Sequence, residues 1–308
     1  EKIKAGTSVD GIGMAKAPVA TNDKPELDET PLLNGNKHNQ YQQIIGILLW
    51  LVMIGRYDLS YAVSSMSRFC AAPREGQFER LRRIVRYLNR VQDRQIRIDP
   101  ADPKPIAGEE KVMGIWEREY PDAKEEIDVK FPEPKGKELS TTVFFDSSFD
   151  HDAKTRRSLT GVIVYVGSTP VKAISKRQGA IATSVYEAEF HAGRTGAEEA
   201  IAIRYMLRSL GVPITKPTKF YGDNKGQLLS SGKPDAELKK THVGISYNFV
   251  RECAAASILV PYKIDTTLNV ADTFTKGLPV ESFRKHNDMI FDTVNDSAVR
   301  RLSAKVWE

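Results

Sequence analysis

The spacing of the apolar residues changes partway along the chain, and this change constrains the fold more than any other feature. Between residues 39 and 91, apolar side chains recur every three or four positions, which is typical of helices with one buried face. After residue 137 they form short runs typical of strands, together with one long helical pattern at residues 184–210. The sequence therefore predicts three helices followed by a mixed α/β domain.

The predicted α/β domain contains five strands, and the long helix separates the first three from the last two. The strands are predicted at residues 141–146, 159–166, 170–175, 219–222 and 257–264. The short gaps between the first three favour antiparallel pairing. Further helices are predicted at residues 224–230, 242–254 and 270–276. The fold class is therefore α/β, with a mixed five-stranded sheet and flanking helices.

We divide the 308 residues into five segments by composition. They are an irregular lead-in (1–36), a helical part (37–92), a charged, proline-rich linker (93–137), the α/β domain (138–280) and a C-terminal tail (281–308). Within the linker we expect one short strand near residues 113–116. The linker aromatics Trp116 and Tyr120 either pack on the neighbouring domain, which we favour, or stack on bases.

The composition excludes several classes of protein. With 41% apolar and 28% charged residues, the chain is typical of a soluble globular protein. Its apolar run at residues 44–54 is much shorter than the about 20 residues that span a bilayer. Two cysteines, Cys70 and Cys253, supply neither a disulfide framework nor a zinc site. Because the first residue is glutamate, we expect a fragment or a processed product of a longer protein.

The formal net charge of +5 is concentrated in one segment. Residues 74–97 contain eight arginines and three acidic residues, and Arg82, Arg86 and Arg90 are spaced four apart on the third predicted helix. Two interpretations are open. The arginines form either a solvated helix face with some pairing along the helix, or a surface that tracks a nucleic-acid backbone.

Two aspartates, Asp146 and Asp223, each lie at or just past the end of a short apolar strand. If the two strands are parallel neighbours, both carboxylates emerge at the same edge of the sheet, where the sites of α/β proteins form. The pair would then be placed to share a metal ion.

The long helix supplies a third carboxylate. Ser184 and Glu187 have the spacing of a capping box, in which the Glu187 carboxylate returns to the start of the helix. Glu189 lies about 200° further around the axis, so Glu187 and Glu189 cannot both face the sheet. We assign Glu187 to the cap and Glu189 to the candidate metal site, with a solvent-facing glutamate as the alternative for Glu189.

Asp272 is the fourth candidate, although on its own it is better explained as a first-turn aspartate that stabilises the helix dipole. Four clustered carboxylates would repel one another and raise some of their pKa values unless cations were bound among them. Two Mg²⁺ ions held by such a cluster can position water and stabilise the leaving oxygen in phosphodiester hydrolysis. His151, His191 and His242 lack zinc-ligand spacing, and we expect no metal-ligand role for them.

Six motifs in the C-terminal half carry a resemblance to a known family. They are residues 146–148 (Asp-Ser-Ser), 156–161 (Arg-Arg-Ser-Leu-Thr-Gly), 184–190 (Ser-Val-Tyr-Glu-Ala-Glu-Phe), 221–224 (Tyr-Gly-Asp-Asn), 241–243 with 247–252, and 270–276 (Val-Ala-Asp-Thr-Phe-Thr-Lys). In this order they resemble the reverse transcriptase/ribonuclease H region of copia-type (Pseudoviridae) retrotransposon polyproteins. Residues 41–50, 56–63, 68–69 and 81–88 look like the helices that follow the polymerase palm in that family.

The resemblance implies a ribonuclease H-like fold, preceded by a small helical remnant of the reverse transcriptase thumb or connection. It places Asp146, Glu189, Asp223 and Asp272 on the acidic tetrad that holds two Mg²⁺ ions, for which Mn²⁺ can substitute. Asp146 would bridge both ions, Glu189 and Asp223 would share one, and Asp272 would hold the ion on the water side. The implied activity is cleavage of the RNA strand of RNA–DNA hybrids.

The same resemblance implies partners and a location. The partners would be an RNA–DNA hybrid, contacted by Arg82, Arg86, Arg90 and Asn224, and the remainder of the polymerase polyprotein. The location would be a cytoplasmic virus-like particle, with the nucleus as an alternative, and no membrane would be involved.

The chain departs from the family pattern at three points. Gly244 stands where an aspartate is common, and Val185 replaces a usual threonine. The polymerase motif, an aromatic-x-Asp-Asp turn, is absent, since the chain contains no Asp-Asp dipeptide. We therefore expect no polymerase activity. The alternative to a nuclease is a catalytically silent nucleic-acid-binding or structural fragment of a decayed element.

Overall fold

Three helices form the first part of the structure. The computed structural model describes residues 15–236 and 244–291. The helices are α1 (Gly35–Met53), α2 (Ser60–Ser67) and α3 (Glu75–Arg90). Their apolar faces meet in one core that includes Tyr41, Leu48, Leu59, Phe78 and Leu81. The 3.6-residue spacing of apolar side chains thus predicted these helices correctly.

Residues 93–137 contain more structure than the linker that we expect from the sequence. They form a two-residue strand, β1 (Glu110–Lys111), and a one-turn helix, α4 (Trp116–Glu119). The strand expected near residues 113–116 is therefore wrong, because the amide of Gly114 donates to the carbonyl of Gly232 at 2.8 Å rather than to a strand. Trp116 is buried and its indole donates to the same carbonyl at 3.0 Å. Packing rather than base stacking is thus confirmed for Trp116.

The second part is built on a six-stranded sheet. After β1, its strands are β2 (Thr141–Ser148), β3 (Leu159–Val166), β4 (Thr169–Arg177), β5 (Thr218–Gly222) and β6 (Leu259–Lys263). The spatial order is β1-β6-β5-β2-β3-β4. Strands β2, β3 and β4 pair antiparallel, whereas β5 pairs in parallel with both β2 and β6. The mixed sheet is confirmed, but β1 adds a sixth strand beside β6.

Helices cover both faces of the sheet. They are α5 (Val185–Ser209), α6 (Lys225–Gly232), α7 (Gly244–Ala255) and α8 (Val280–Ile290). The helix expected at residues 270–276 is a shorter 3₁₀ helix, Val270–Phe274. Residues 280–290, which we assign mostly to the tail, form α8. In the described ranges no helix has the length and apolar character needed to cross a membrane.

Alternation along β2 divides its side chains between two apolar layers, since successive residues of a strand point to opposite faces. Val143 and Phe145 pack in the layer beneath α5 and α7. Phe144 packs in the opposite layer with residues of the 3₁₀ helix and of α8. Asp146 follows the same alternation and lies toward the 3₁₀ helix, which positions that helix beside the carboxylate.

The helical part contacts the sheet beside the end of β2. Tyr61 of α2 stacks edge-on against His151, and the hydroxyl oxygen lies 3.2 Å from a ring nitrogen. Arg68 forms an ion pair with Asp152. Both contacts are made to the loop that directly follows β2, so the helical part fixes the chain a few residues beyond Asp146.

Candidate active site

Two carboxylates lie at one edge of the sheet because β2 and β5 are parallel neighbours. Asp146 is the third residue from the end of β2, and Asp223 directly follows the final residue of β5. Gly222 allows the two strands to approach in this way, since a Cβ atom at its position would lie 2.6 Å from the ring of Phe145. The conditional prediction of parallel neighbouring strands is therefore confirmed.

The start of α5 determines which of its glutamates faces the sheet. The Ser184 side chain accepts a hydrogen bond from the amide of Glu187 at 3.3 Å. The Glu187 carboxylate accepts bonds from the amide and hydroxyl of Thr183 at 2.6 and 2.8 Å. Glu187 is thus used by the cap, and Glu189 points the other way and is 4% exposed.

Asp146, Glu189 and Asp223 form a compact group of acids. Each offers a carboxylate oxygen, and these oxygens all lie within 4.8 Å of one another. Asp146 is 4% exposed, as is Glu189, and Asp223 is half-buried. Acids brought together and shielded from water in this way are stabilised either by protonation or by a nearby positive charge.

The fourth predicted carboxylate, Asp272, lies nearby but outside that group. It is 6% exposed within the 3₁₀ helix. Lys276 places its Nζ atom 2.7 Å from Asp272 Oδ1. The Asp272 charge nevertheless contributes to raising the pKa values of Asp146, Glu189 and Asp223. The structure therefore brings three of the predicted ligands together and pairs the fourth with a lysine.

Three polar residues that sequence reasoning missed fasten this 3₁₀ helix to the group. Asn269 donates its side-chain amide to the carbonyl of Phe145 at 3.0 Å. Thr275, fully buried, donates its hydroxyl to Asp146 Oδ2 at 2.6 Å. Lys276 supplies the ion pair described above. All three lie in or next to the motif at residues 270–276. This motif was the sequence signal that could have identified them, but only its aspartate was chosen as a candidate ligand.

The electrostatics of the group favour a bound cation. Burial raises the pKa of Asp146 well above its usual range, and the charges of Glu189, Asp272 and Asp223 add to the effect. Burial, followed by the charge of Asp223, raises the pKa of Glu189 to about 8. Burial also raises the pKa of Asp223, against a hydrogen bond from Thr266. Because the donors are all carboxylate oxygens, they fit a hard divalent cation such as Mg²⁺ or Mn²⁺.

We expect Lys276→Met to strengthen cation binding at this site. The substitution removes a positive charge that lies 2.7 Å from Asp272, so the carboxylates attract a divalent ion more strongly. Ca²⁺ affinity, measured by titration calorimetry at low salt, should rise about tenfold. In EDTA, the melting temperature should fall, because the remaining carboxylates lose their counterion.

Lys172→Met is the matched control, since Lys172 pairs with Glu199 at 2.6 Å elsewhere on the surface. It should leave Ca²⁺ affinity unchanged. Equal Ca²⁺ affinities for the Lys276 variant and the parent chain would contradict the assignment of Lys276 to the site.

The arginines predicted to contact nucleic acid are partly engaged within the protein. Arg82 and Arg86 both pair with Glu79, at 2.5 and 3.5 Å. These contacts favour the solvated-face interpretation for the two residues. Arg90 lies in the last turn of α3. Asn224 directly follows Asp223, and its side chain caps the start of α6.

His151 and His191 take no part in the acidic group. His151 lies between Ser148 and Tyr61, and burial lowers its pKa to about 4. His191 lies 3.7 Å from Glu187. Within the described ranges neither joins a set of side chains that could hold a metal ion, and His242 lies outside those ranges.

The architecture defines a class of fold. Three antiparallel strands, a long helix, and two further strands added in parallel on the other side of the first make up a ribonuclease H-like α/β fold. The acids lie at the edge of that sheet where the first strand ends. The fold class implied by the sequence motifs is therefore confirmed.

The particular relatives come from retrotransposons. The chain is 28% identical over 270 residues to the retrovirus-related Pol polyprotein from transposon RE1 of Arabidopsis thaliana, which covers 87% of this chain and 16% of the relative. It is 24% identical over 250 residues to the Pol polyprotein from transposon TNT 1-94 of Nicotiana tabacum, covering 81% of this chain and 16% of the relative. The Ty1-LR3 Gag-Pol polyprotein of Saccharomyces cerevisiae is 22% identical over 270 residues, 85% of this chain and 13% of its own length. The resemblance to copia-type retrotransposon polyproteins is thus confirmed.

These similarities have clear bounds. The chain spans about one sixth of the length of the curated relatives first matched, with 16% of each covered. No family model matches the sequence. Among solved structures, the N-terminal RNase H domain of rv2228c from Mycobacterium tuberculosis, a fusion with maltose binding protein, matches 49% of this chain and 97% of its own, with 14% identity and a TM-score of 0.34. The fold assignment rests on the strand order rather than on that superposition.

Proposed function

We propose that the chain is a metal-dependent endonuclease that cleaves the RNA strand of RNA–DNA hybrids within a retrotransposon polyprotein. The observation that carries the proposal is the group of three acids, two buried and one half-buried, whose oxygens lie within 4.8 Å of one another at the edge of a ribonuclease H-like sheet. The similarity to Pol polyproteins over most of the chain supports it. A cluster of acids with only a surface role would remain exposed to solvent.

Each of the four carboxylates would have its own role in this mechanism. Asp146 would be shared by both cations, since its carboxylate groups with those of Glu189 and Asp223 and also accepts a hydrogen bond from Thr275, just beyond the 3₁₀ helix. Glu189 and Asp223 would hold one cation together. Asp272 would hold the second after exchanging its bond with Lys276. Two bound Mg²⁺ ions, or Mn²⁺ in their place, would activate a water molecule and stabilise the leaving oxygen.

Buried supports hold these ligands in place. The hydroxyl of Thr275 fixes one oxygen of Asp146 by its 2.6 Å bond and leaves the other oxygen free to bind a cation. The cap at Ser184 fixes the first turn of α5 and hence the direction of Glu189. These contacts restrict the ligands before a cation binds, so less conformational freedom is lost on binding.

The proposed substrate follows from the geometry of nucleic acids. In a hybrid, 2′-hydroxyl groups line the shallow minor groove on one strand alone, and they distinguish RNA from DNA. The remainder of the polymerase polyprotein would be the covalent partner, and a cytoplasmic virus-like particle or the nucleus would be the place of action.

The test is cleavage of end-labelled duplexes in Mg²⁺ or Mn²⁺. The parent chain should cut the RNA strand of a hybrid and leave a DNA duplex of the same sequence intact, and Asp223→Asn should remove the activity. Binding of a hybrid without cleavage would favour the catalytically silent alternative. Cleavage that persists in Asp223→Asn and in Asp146→Asn would refute the assignment of the site.

A further inference from the structure

Two cavities flank the C-terminal end of β4. One, of about 290 Å³, lies between α2 and the end of β4. The other, of about 330 Å³, lies between the ends of β3 and β4 and the side of α5. Residues 176–179 line both cavities, which therefore adjoin each other at the join between the helical part and the sheet. We call the two cavities together the junction groove.

The junction groove is positively charged. The cavity beside α2 is lined by four basic side chains and by no acidic one; they are Arg68, Arg157, Lys176 and Arg177. Arg68 and Arg177 share Asp152, so much of their charge is balanced. Within the described part of the chain, Arg157 and Lys176 form no ion pair. Their charges are therefore available to an anionic ligand.

Hydroxyl-bearing side chains of α2 form the other wall of the groove. Ser64, Ser67 and Tyr61 of α2 line the cavity opposite the basic side chains. The Ser64 hydroxyl donates to the carbonyl of Ser175 at 2.7 Å and so ties α2 to β4. The Ser67 hydroxyl likewise donates within α2, to the carbonyl of Ser64 at 2.9 Å. Contacts to phosphate oxygens are therefore left to the basic side chains.

The register of the sheet sets the distance from this groove to the acids. Ser147, the neighbour of Asp146, is paired with Thr160, and Thr160 is paired with Lys176. Neighbouring strands lie about 4.8 Å apart, so Lys176 is about 10 Å across the sheet from Ser147.

We propose that the junction groove holds the phosphate backbone of the hybrid, with Arg157 and Lys176 contacting phosphates that flank the scissile one. The inference rests on the proposed function and adds the path of its substrate. It also assigns α2 a direct part in binding, as the far wall of the groove. The arginines of α3 are the competing surface, but Arg82 and Arg86 share Glu79.

The test compares two double variants that remove equal charge from the two surfaces. Both are made in an Asp146→Asn background, so that the protein binds a fluorescent hybrid without cutting it. The affinity for the hybrid is then measured by fluorescence anisotropy at several salt concentrations. For Arg157→Ala with Lys176→Ala, the slope of log affinity against log salt should become shallower by about 2, one unit for each lost phosphate contact. The affinity at 0.1 M salt should fall about tenfold.

The matched variant, Arg82→Ala with Arg86→Ala, should change the salt slope by less than about 0.5. In the chain that retains Asp146, the groove variant should raise KM and leave kcat nearly unchanged. An unchanged salt slope in the groove variant, or a larger change in the α3 variant, would overturn the inference. If the Asp146→Asn parent does not bind a hybrid at all, the proposed function itself fails.

Discussion

Asp146→Asn is expected to lower hybrid cleavage by about a hundred- to a thousandfold or more while it stabilises the fold in EDTA. The loss of activity follows because an amide cannot replace a carboxylate that, under the proposed function, would hold the cations. The gain in stability follows because burial and the charges of Glu189, Asp272 and Asp223 oppose ionisation of Asp146 in the folded chain. An uncharged side chain of the same shape removes that repulsion.

The direction of the pH dependence follows from the same shifts. The pKa of Glu189 rises from its ordinary value of 4.5 to about 8 on folding. Between about pH 5 and pH 8, the unfolded chain releases a proton that the folded chain retains, so the unfolding free energy in EDTA falls as the pH rises. Asp146, with a raised pKa, adds to that slope. Asp146→Asn should therefore flatten the slope.

Thermal unfolding in EDTA and in Mg²⁺, measured from pH 5 to pH 8, checks this expectation, together with cleavage rates at pH 7.5. Asp288→Asn is the control, since Asp288 is exposed on α8 and pairs with Arg284 at 3.7 Å. It should change neither quantity. If Asp146→Asn instead lowered the unfolding free energy in EDTA, contacts of the Asp146 carboxylate within the protein would outweigh the repulsion among the acids.

Glu125→Ala is expected to lower the unfolding free energy by about 3 to 5 kcal/mol. The Glu125 carboxylate receives four hydrogen bonds from Arg204 and Arg208 of α5, at 2.6 to 3.0 Å. The two arginine side chains are 1% and 7% exposed, and that of Glu125 is 9% exposed. Removing the acid leaves two buried guanidinium groups without their counterion.

The pKa of Glu125 supports the strength of this contact. Burial raises it, but the hydrogen bonds from Arg208 and then Arg204 lower it to about 2. The contribution to stability is therefore present above about pH 4.5 and is lost as the pH falls toward 2. Chemical denaturation at pH 7 measures the effect. The neighbouring Glu126→Ala, at an exposed position, is the control, and equal losses for the two variants would contradict the assigned role of Glu125.

Local patterns in the sequence predicted the elements and the direction of their side chains. The choice of Glu189 over Glu187 depended on a cap and a helical angle, both of which are set within six residues of chain. The placement of Asp146 beside Asp223 depended on strand ends, which apolar runs mark clearly. These features are visible to sequence reasoning because the physical causes lie within a few residues of the effect.

Contacts between distant residues were not predictable in the same way. Glu125 meets Arg204 from 79 positions away, and Thr275 meets Asp146 from 129 positions away. No periodicity indicates such pairs. The pairing of Arg82 with Glu79, three residues away on the same helix, was in contrast one of the two interpretations open from the sequence. The sequence showed which residues carry charge, whereas tertiary packing determined which of those charges remain available.

Strand β1 has a practical consequence for work with parts of this chain. Its two charged residues lie along β6, the strand that would otherwise end the sheet on that side. Unprotected strand edges pair with other chains and promote aggregation. A fragment that begins at residue 138, where the composition changes, would lack both this shield and the Glu125 contact to α5. Recombinant versions of the α/β domain should therefore begin before residue 109, so that the protective edge is expressed with the sheet.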